Sequence, residues 1–174
     1  MIVRAAILAD CLGMAGVLNP IIRAGGTSAF EVEKSAEALA DWYLSGPYAW
    51  FCHVACDTQP NGVERIVGYQ TLSRWGDFPA GWSDIGTFVA TDVQRGGVGK
   101  ALFAVTLRAA RLAYLRTLNA TIRADNLAGL GYYTRRGFME YDRQPDYALT
   151  DGRIVGRVLM RFDLGRTNPA ATGA

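Results

Sequence analysis

The period of the hydrophobic pattern changes from helical to alternating and back along the chain, and this change limits the fold more than any other feature. Segments 49–56, 65–73 and 83–90 are rich in Val, Ile, Phe, Tyr and Trp, which favour strands. Turn residues at 59–62 separate the first two segments. Helical spacing of apolar residues precedes this region and returns after Gln94. The pattern therefore predicts three consecutive antiparallel strands flanked by helices.

The amino-terminal part places one strand and two helices before these strands. Residues 1–9 are predicted as a strand, and residues 11–22 as a helix with Asp10 as its N-cap. A second helix is expected to begin at Thr27 or Ser28, because apolar residues recur at helical spacing behind them. These apolar residues are Val32, Ala36, Leu39, Ala40 and Tyr43.

The carboxy-terminal part continues with two helices and three strands. A one-sided apolar pattern predicts the first helix after Gln94. Its apolar residues are Val98, Leu102, Val105, Ala109 and Leu112. The remaining predicted elements are a strand at 119–124, a helix at 126–137 and two strands at 138–148 and 153–163.

The resulting order, βααβββαβαββ, predicts an α+β fold in which helices cover both faces of a mixed, mostly antiparallel central sheet. No linker long enough to divide the chain is present, so residues 1–165 are expected to form one domain. Residues 166–174 lack periodicity and are expected to form a flexible C-terminal tail.

Composition narrows the classes of partner. The 174 residues include 18 Lys and Arg against 16 Asp and Glu, and the net charge of +2 gives no electrostatic reason to expect nucleic acid or a membrane surface. No stretch approaches the roughly 18 uninterrupted apolar residues of a membrane span. Cysteines at 11, 52 and 56 lack metal-ligand spacing. They favour a reduced, cytoplasmic setting without a metal site.

A glycine-rich segment follows the third central strand and opens a helix. It comprises Gln94, Arg95, Gly96, Gly97, Val98, Gly99 and Lys100. Backbone N–H groups at a helix N-terminus are unpaired and lie at the positive end of the helix dipole, so they bind anions. Glycine lets a phosphate approach the backbone, and the two basic side chains add charge. The segment therefore predicts a phosphate-binding loop, with a glycine-capped turn as the alternative.

Known nucleotide loops fit this segment poorly. A Walker loop would need Gly where Gln94 stands and Ser or Thr where Ala101 stands. A Rossmann fingerprint would need Gly where Leu102 stands. Both classes are excluded.

Two motifs resemble those of the GNAT superfamily of N-acetyltransferases. The first, at 94–99, matches Q/R-x-x-G-x-G/A, and the second, at 126–138, resembles N-x-x-(A/S)-x-x-x-Y-x-x-x-G-F. With the order of elements, the resemblance covers nearly the whole chain. It implies a GNAT-like fold and an enzyme that transfers an acetyl group from acetyl-CoA to an amine.

A narrower resemblance is to the phosphinothricin and methionine sulfoximine acetyltransferases. It rests on residues 17–22, 27–31, 68–69 and Trp75. Those enzymes acetylate the amine of small amino-acid analogues and are usually homodimers. The resemblance therefore implies a small-molecule amine as acceptor and a homodimer. The chain departs from that group at Gly76, where an Arg that grips the substrate carboxylate is common.

The resemblance also implies which residues contact acetyl-CoA. A bulge near the end of strand 83–90 is expected to splay the strands on either side of the glycine loop and to admit pantetheine. Backbone groups of Phe88 and Val89 would pair with the pantetheine amides, while residues 95–100 hold the pyrophosphate. Asn126 would contact the same arm from the other side; its alternative role is the N-cap of its own helix.

Acetyl transfer to an amine needs an unprotonated nucleophile and a proton for the leaving thiolate. The resemblance makes Tyr133, rather than its neighbour Tyr132, the general acid, since a phenol is protonated at neutral pH. It makes Asp84 the general base, at a position where the amino-acid analogue acetyltransferases carry Glu. His53 is the second candidate for the base. No arrangement supports a cysteine nucleophile, so direct transfer in a ternary complex is expected.

The acceptor pocket is expected to include Phe30, Glu31 and Trp75, with Arg74 as a substitute for the missing carboxylate-binding Arg. Core or dimer packing is the alternative role for these side chains. Two other functions stay open. One is a protein N-acetyltransferase acting on α-amines or lysines, and the other is a catalytically silent acyl-CoA-binding sensor, which would need the glycine loop but neither Tyr133 nor Asp84.

Overall fold

The computed structural model describes residues 1–60, 62–74, 77–93 and 96–165. In chain order the elements are β1 (Ile2–Ala5), α1 (Cys11–Ala24), α2 (Ala36–Ala40), β2 (Ala49–Thr58), β3 (Glu64–Ser73), β4 (Trp82–Val89), α3 (Val98–Leu112), β5 (Thr117–Arg123), α4 (Leu127–Arg135), β6 (Met139–Gln144) and β7 (Arg157–Asp163). A π-helical turn, Asp41–Ser45, extends α2. The predicted α+β order is confirmed.

The seven strands form one mixed sheet in the order β1-β2-β3-β4-β5-β7-β6. Every pair of neighbours is antiparallel except β4 and β5. These two parallel strands pair at three positions only, Trp82↔Thr117, Ser83↔Leu118 and Asp84↔Asn119. Beyond Asp84, β4 continues to Val89 without β5 beside it, and the two strands diverge. The gap between them is the only interruption in the pairing of neighbouring strands that the described residues show.

The gap opens without the bulge that was expected in β4. Pairing of β4 with β3 keeps one register from Ser73↔Asp84 to Gly68↔Val89, so that expectation is wrong. The register shifts lie elsewhere, within the β2–β3 and β6–β7 pairs. Each of the two diverging strands stays paired with its outer antiparallel neighbour along its length, β4 with β3 and β5 with β7. Beyond Asp84, β4 therefore stays with β3 and β5 stays with β7, and β4 and β5 no longer pair with each other.

Helices cover both faces of the sheet, as predicted. On β2, Val54 packs with Leu18 of α1 and Leu39 of α2, while the adjacent Ala55 packs with Leu102 of α3. Successive strand residues point to opposite faces, so α1 and α2 form one layer and α3 the other. No helix among the described residues is both long and apolar enough to cross a lipid bilayer.

The second helix begins later than predicted. Ser35, not Thr27 or Ser28, is the N-cap, and its hydroxyl accepts a hydrogen bond of 3.2 Å from the Ala38 amide. The Ser28 hydroxyl instead accepts from the Phe30 amide at 2.9 Å. A serine can close such a local turn as readily as it caps a helix, because both need one nearby backbone N–H. The stretch between these serines is therefore a loop.

Two other boundaries differ from the prediction. Strand β1 ends at Ala5, and the Asp10 carboxylate accepts from the Arg4 guanidinium (2.7 and 2.9 Å) and the Ile7 amide instead of capping α1. The last two strands are shorter than 138–148 and 153–163, with one isolated bridge, Ala148↔Ile154, inside the long connection. That connection, 145–156, lies beside the site described next.

Candidate active site

The glycine loop leads into the N-terminus of α3 at the open end of the gap. Gly97 is the N-cap, with φ of 83°, and a Cβ built there would meet no atom within 4 Å. The first N–H groups of α3 have no acceptor within the helix, so they face this open space together with the exposed Lys100. Gln94 and Arg95, two predicted contacts, lie outside the described residues. The chemistry of this helix end fits a phosphate group.

Gly99 lies against Tyr132 of α4. A Cβ on Gly99 would lie 2.8 Å from the Tyr132 ring, whose hydroxyl donates to the Gly99 carbonyl at 2.8 Å. The glycine therefore lets α4 pack closely against the first turn of α3. Gly96, whose amide donates to the Val93 carbonyl at 3.2 Å, and Val98, which is buried in the core, complete the turn.

Strand β4 supplies one wall of the gap. Phe88 and Val89 pair with Tyr69 and Gly68 of β3, and no strand among the described residues pairs with the other edge of this stretch. The Phe88 ring stacks on Tyr69 at 4.8 Å and lies 6.1 Å from Phe30. Backbone donors and acceptors on an unpaired strand edge can bind an extended chain.

Tyr133 and Tyr132 point in different directions from α4, as expected for adjacent helical residues. The Tyr133 hydroxyl lies 2.9 Å from Thr87 Oγ1 and donates to the Ile85 carbonyl at 3.3 Å. Ile85 is the first residue of β4 beyond the last β4–β5 pair. The Tyr133 hydroxyl thus reaches β4 where the gap begins, and burial raises its pKa above the ordinary value.

Asp84 lies at the closed end of the gap, in the last β4–β5 pair. Its Oδ1 accepts a hydrogen bond of 2.6 Å from Asn119 Nδ2, and the Tyr141 hydroxyl donates to Asn119 Oδ1 at 2.7 Å. Burial raises the pKa of Asp84 to about 7, while the Asn119 hydrogen bond and the charge of Arg157 oppose this shift. Asn119 is completely buried. Neither it nor Tyr141 was among the predicted site residues.

Asp84 and Tyr133 lie on opposite faces of the sheet. Tyr133 bonds to Thr87, an odd-numbered residue of β4. Phe88, an even-numbered residue like Asp84, packs in the α1 and α2 layer. Because side chains alternate along a strand, a molecule that passes through the gap would meet a phenol on one face and a carboxylate on the other.

Two of the other predicted residues contact groups other than Asp84, although Arg74 directly follows Ser73, the β3 partner of Asp84. His53 is buried under α3, two strands from the gap, and its Nδ1 is 3.1 Å from Thr106 Oγ1. Burial lowers the pKa of His53. The Arg74 guanidinium stacks 4.1 Å from the centre of the Trp50 ring, which packs in the core beneath α3 and α4. Trp75 lies outside the described residues.

Asn126 and Glu31 tie loops together beside the gap. Asn126 caps α4 through Gly129, at 2.8 Å, and its Nδ2 donates to the Thr27 carbonyl at 2.7 Å. Glu31 accepts from the Thr150 amide and hydroxyl at 2.7 and 2.5 Å. The loop before α2 is thereby joined to α4 and to the β6–β7 connection. Across the described ranges, no group of three or more His, Cys, Asp or Glu could hold a metal ion.

Comparison with known proteins identifies the family. The profile of the Acetyltransferase (GNAT) family matches residues 21–138, more than half of the chain. A mycothiol acetyltransferase from Actinosynnema mirum is 28% identical over 117 residues. Those residues make up 67% of this chain but 39% of that relative, so the chain spans well under half the length of this curated relative.

Solved structures share the fold. A ribosomal-protein-alanine N-acetyltransferase from Brucella melitensis superposes with a TM-score of 0.78 at 21% identity, over 94% of this chain and 99% of that one. A phosphinothricin acetyltransferase from Sinorhizobium meliloti, solved in complex with acetyl-CoA, gives 0.80 at 19% identity, over 94% and 88%. Together with the family profile, the splayed β4–β5 pair and the glycine N-cap of α3 lead to one assignment: the chain belongs to the GNAT family of acetyltransferases.

Proposed function

We propose that the protein is an acetyl-CoA-dependent N-acetyltransferase that moves an acetyl group directly to the primary amine of a small molecule, such as an amino acid or an amino-acid analogue, in a ternary complex. One observation carries this proposal. A carboxylate and a phenol flank the point where β4 and β5 part, and they lie on opposite faces of the sheet. A donor on one face and an acceptor on the other would each meet one of them.

The gap has the features that acetyl-CoA requires. The unpaired edge of β4, including Phe88 and Val89, can form hydrogen bonds with the pantetheine amides as a further strand would. The N-terminus of α3, with Gly97 and Lys100, can hold the pyrophosphate. Asn126 makes one hydrogen bond from Nδ2 to Thr27 and accepts one at Oδ1 from Gly129, so its second amide hydrogen could bind pantetheine. Bound acetyl-CoA supplies an activated thioester.

Asp84 is the proposed general base. An acceptor amine is mostly protonated at neutral pH, and only the neutral form can attack a carbonyl carbon. A carboxyl group with a pKa of about 7 is about half ionised at that pH and can take the ammonium proton directly or through a water molecule. Asn119 holds the carboxylate in place through the 2.6 Å hydrogen bond.

Tyr133 is the proposed general acid. When the new C–N bond has formed and the C–S bond breaks, the leaving sulfur takes the pair of electrons and needs a proton. Burial raises the pKa of Tyr133, so the phenol stays protonated until that step. Its hydroxyl can turn from the Ile85 carbonyl towards the sulfur, since the 3.3 Å bond that holds it there is long.

A small acceptor is favoured by the loops beside Asp84. The Glu31 carboxylate joins the loop before α2 to the β6–β7 connection at Thr150. A bound peptide would need an open groove on this side, whereas two joined loops favour a closed pocket. The relatives named above include enzymes whose names specify mycothiol and phosphinothricin, both small molecules, and one named for a ribosomal protein.

A panel of amines tests the proposal. We expect release of free CoA thiol from acetyl-CoA with at least one small primary amine, and loss of most of that activity at pH 7 in Asp84→Asn. Asp142→Asn, which removes an exposed carboxylate from β6, is the matched control. Acetylation of peptides but of no small amine would favour a protein acceptor. Binding of acetyl-CoA without thiol release from any amine or peptide would favour a sensor.

Two expectations from the sequence stay predictions. They are a homodimer, which sedimentation equilibrium measures, and a cytoplasmic location, which fractionation of the source cells measures.

A further inference from the structure

Arg157 lies on the same face of the sheet as Asp84. Asp84 pairs with Asn119 of β5, and along β5 the residues Asn119, Thr121 and Arg123 share one face. Arg123 is directly opposite Arg157 of β7. The two arginines therefore stand side by side on the face of the proposed base, and like charges opposite each other destabilise a sheet unless something compensates them.

The charge of Arg123 is compensated within the chain. Its guanidinium makes a two-bond ion pair with Asp125, at 2.9 and 2.7 Å, and its side chain is only 6% exposed. Two further carboxylates, those of Glu31 and Asp151, raise the pKa of Arg123 from nearby. Arg123 needs no external partner.

The charge of Arg157 is not compensated in this way. No carboxylate in the described part of the chain lies within ion-pair distance of it, and its buried Nε has no hydrogen-bond acceptor there. The guanidinium carbon of Arg157 lies over the Tyr147 ring, 3.3 Å from the ring centre, so this ring packs against the side chain. The charge of Arg157 acts on Asp84, but the hydrogen bond of Asp84 is to Asn119. A guanidinium that packs on an aromatic ring and has no acidic partner in the described part of the chain is suited to a carboxylate that binds through two parallel hydrogen bonds.

We propose that Arg157 binds the carboxylate of the acceptor, so that the acceptor is a small amine that also carries a carboxylate. This inference rests on the proposed function, since it places the acceptor amine at Asp84. Arg157 would then do what Arg74 was predicted to do, from β7 instead of from the end of β3. The same positive charge disfavours acceptors that are only cationic, such as polyamines or a lysine side chain of a protein.

Amino acids and their carboxamides provide the test, because a carboxamide keeps the amine and the side chain but has no negative charge. We expect the wild-type protein to acetylate an amino acid about 10- to 100-fold more efficiently, by kcat/KM, than its carboxamide, the range for hydrogen bonds to a charged group. In Arg157→Gln the ratio of the two kcat/KM values should fall to about one. The ratio is the readout because loss of the Arg157 charge also raises the pKa of Asp84, which affects both substrates alike. Arg157→Lys, which keeps the positive charge but not the two parallel N–H donors of a guanidinium, should recover part of the preference for the amino acid.

Arg161→Gln is the matched control, because Arg161 lies on the same strand and face and already faces Asp163 at 3.7 Å. The proposal is overturned if wild type treats acids and carboxamides alike, if the preference survives in Arg157→Gln, or if Arg161→Gln is the variant that removes it.

A binding measurement separates failure of this inference from failure of the proposed function. If no amine is acetylated, the proposed function fails, and the melting temperature of the protein with CoA is then measured in the presence of amino acids. A rise in wild type that Arg157→Gln lacks would still support a carboxylate site. The absence of any rise, or an equal rise in both proteins, would refute it.

Discussion

Replacing Asp84 by Asn should make the protein more stable at neutral pH while it removes the proposed base. The pKa of Asp84 rises from 3.8 to about 7 on folding, because burial disfavours the charged carboxylate. Below pH 4 the carboxyl is protonated in both states, so burial costs the folded protein nothing. Above pH 7 it is ionised in both states, and the folded protein carries the whole cost. Asp84 therefore destabilises the wild type by an amount that grows as the pH rises from 4 to 7.

The shift sets the size of the effect. About three pKa units at roughly 1.4 kcal/mol each give an upper limit of ~4 kcal/mol. Asn can keep the bond to Asn119 by accepting through its amide oxygen, so little else is lost. For a domain of this size, each kcal/mol moves the melting temperature by roughly 2–4 °C. We therefore expect Asp84→Asn to melt up to about 16 °C higher than wild type at pH 8.

Thermal melts of both proteins at pH 4, 5, 6, 7 and 8 measure this difference. It should be near zero at pH 4 and should grow until about pH 7. The exposed control Asp142→Asn should show no such growth. A constant difference across the range, or a wild type that is the more stable protein at pH 8, would refute the argument that burial raises the pKa of Asp84.

Three further predictions concern the same gap. Tyr133→Phe should lower the single-turnover rate of acetyl transfer about 10²-fold with little change in acetyl-CoA affinity. Tyr132→Phe, which loses the hydrogen bond to Gly99, should lower the acetyl-CoA affinity and leave the rate unchanged. Equal rates in wild type and Tyr133→Phe would show that Tyr133 is not the general acid. Acetyl-CoA at 100 times Kd should stabilise the folded wild type by about 2.7 kcal/mol and so raise its melting temperature, and Gly97→Val should abolish this rise. Gly62→Val, at a similar φ of 80° in another turn, should keep it. Asn119→Ala should move the acid limb of kcat/KM above pH 7, because its hydrogen bond lowers the pKa of Asp84; an unchanged limb would show that this bond does not tune the base.

The order of elements and the presence of helices on both faces of the sheet could be predicted from sequence, because both follow from the hydrophobic period. Helix boundaries were harder to predict where two residues could each serve as the N-cap. Ser28 and Ser35 both have a hydroxyl and a following backbone amide, and the sequence does not say which of them caps a helix. The glycine loop was predicted correctly as the start of α3, but the role of Gly99 depends on Tyr132, which is distant in sequence.

The hydrogen bonds that join Asp84, Asn119 and Tyr141 were not predicted, for a related reason. Strand β5 alternates apolar Leu118, Ala120 and Ile122 with polar residues that include Asn119. This alternation could have indicated a polar face on β5. It could not indicate that Asn119 lies opposite Asp84, because the register of a parallel pair depends on contacts far apart in the chain. Periodicity specifies a face, whereas a site needs the register as well.

The three-pair contact between β4 and β5 also divides the sheet mechanically. Strands β1 to β4 form one plate and β5, β7 and β6 a second, and a short seam ending at Asp84 and Asn119 joins them. An extended ligand seated along β4 would lengthen that seam, so its binding should stiffen the angle between the plates. Amide hydrogens of β4 and β5 near the open end should then exchange more slowly with solvent when a ligand is bound, while those of the outer strands change little.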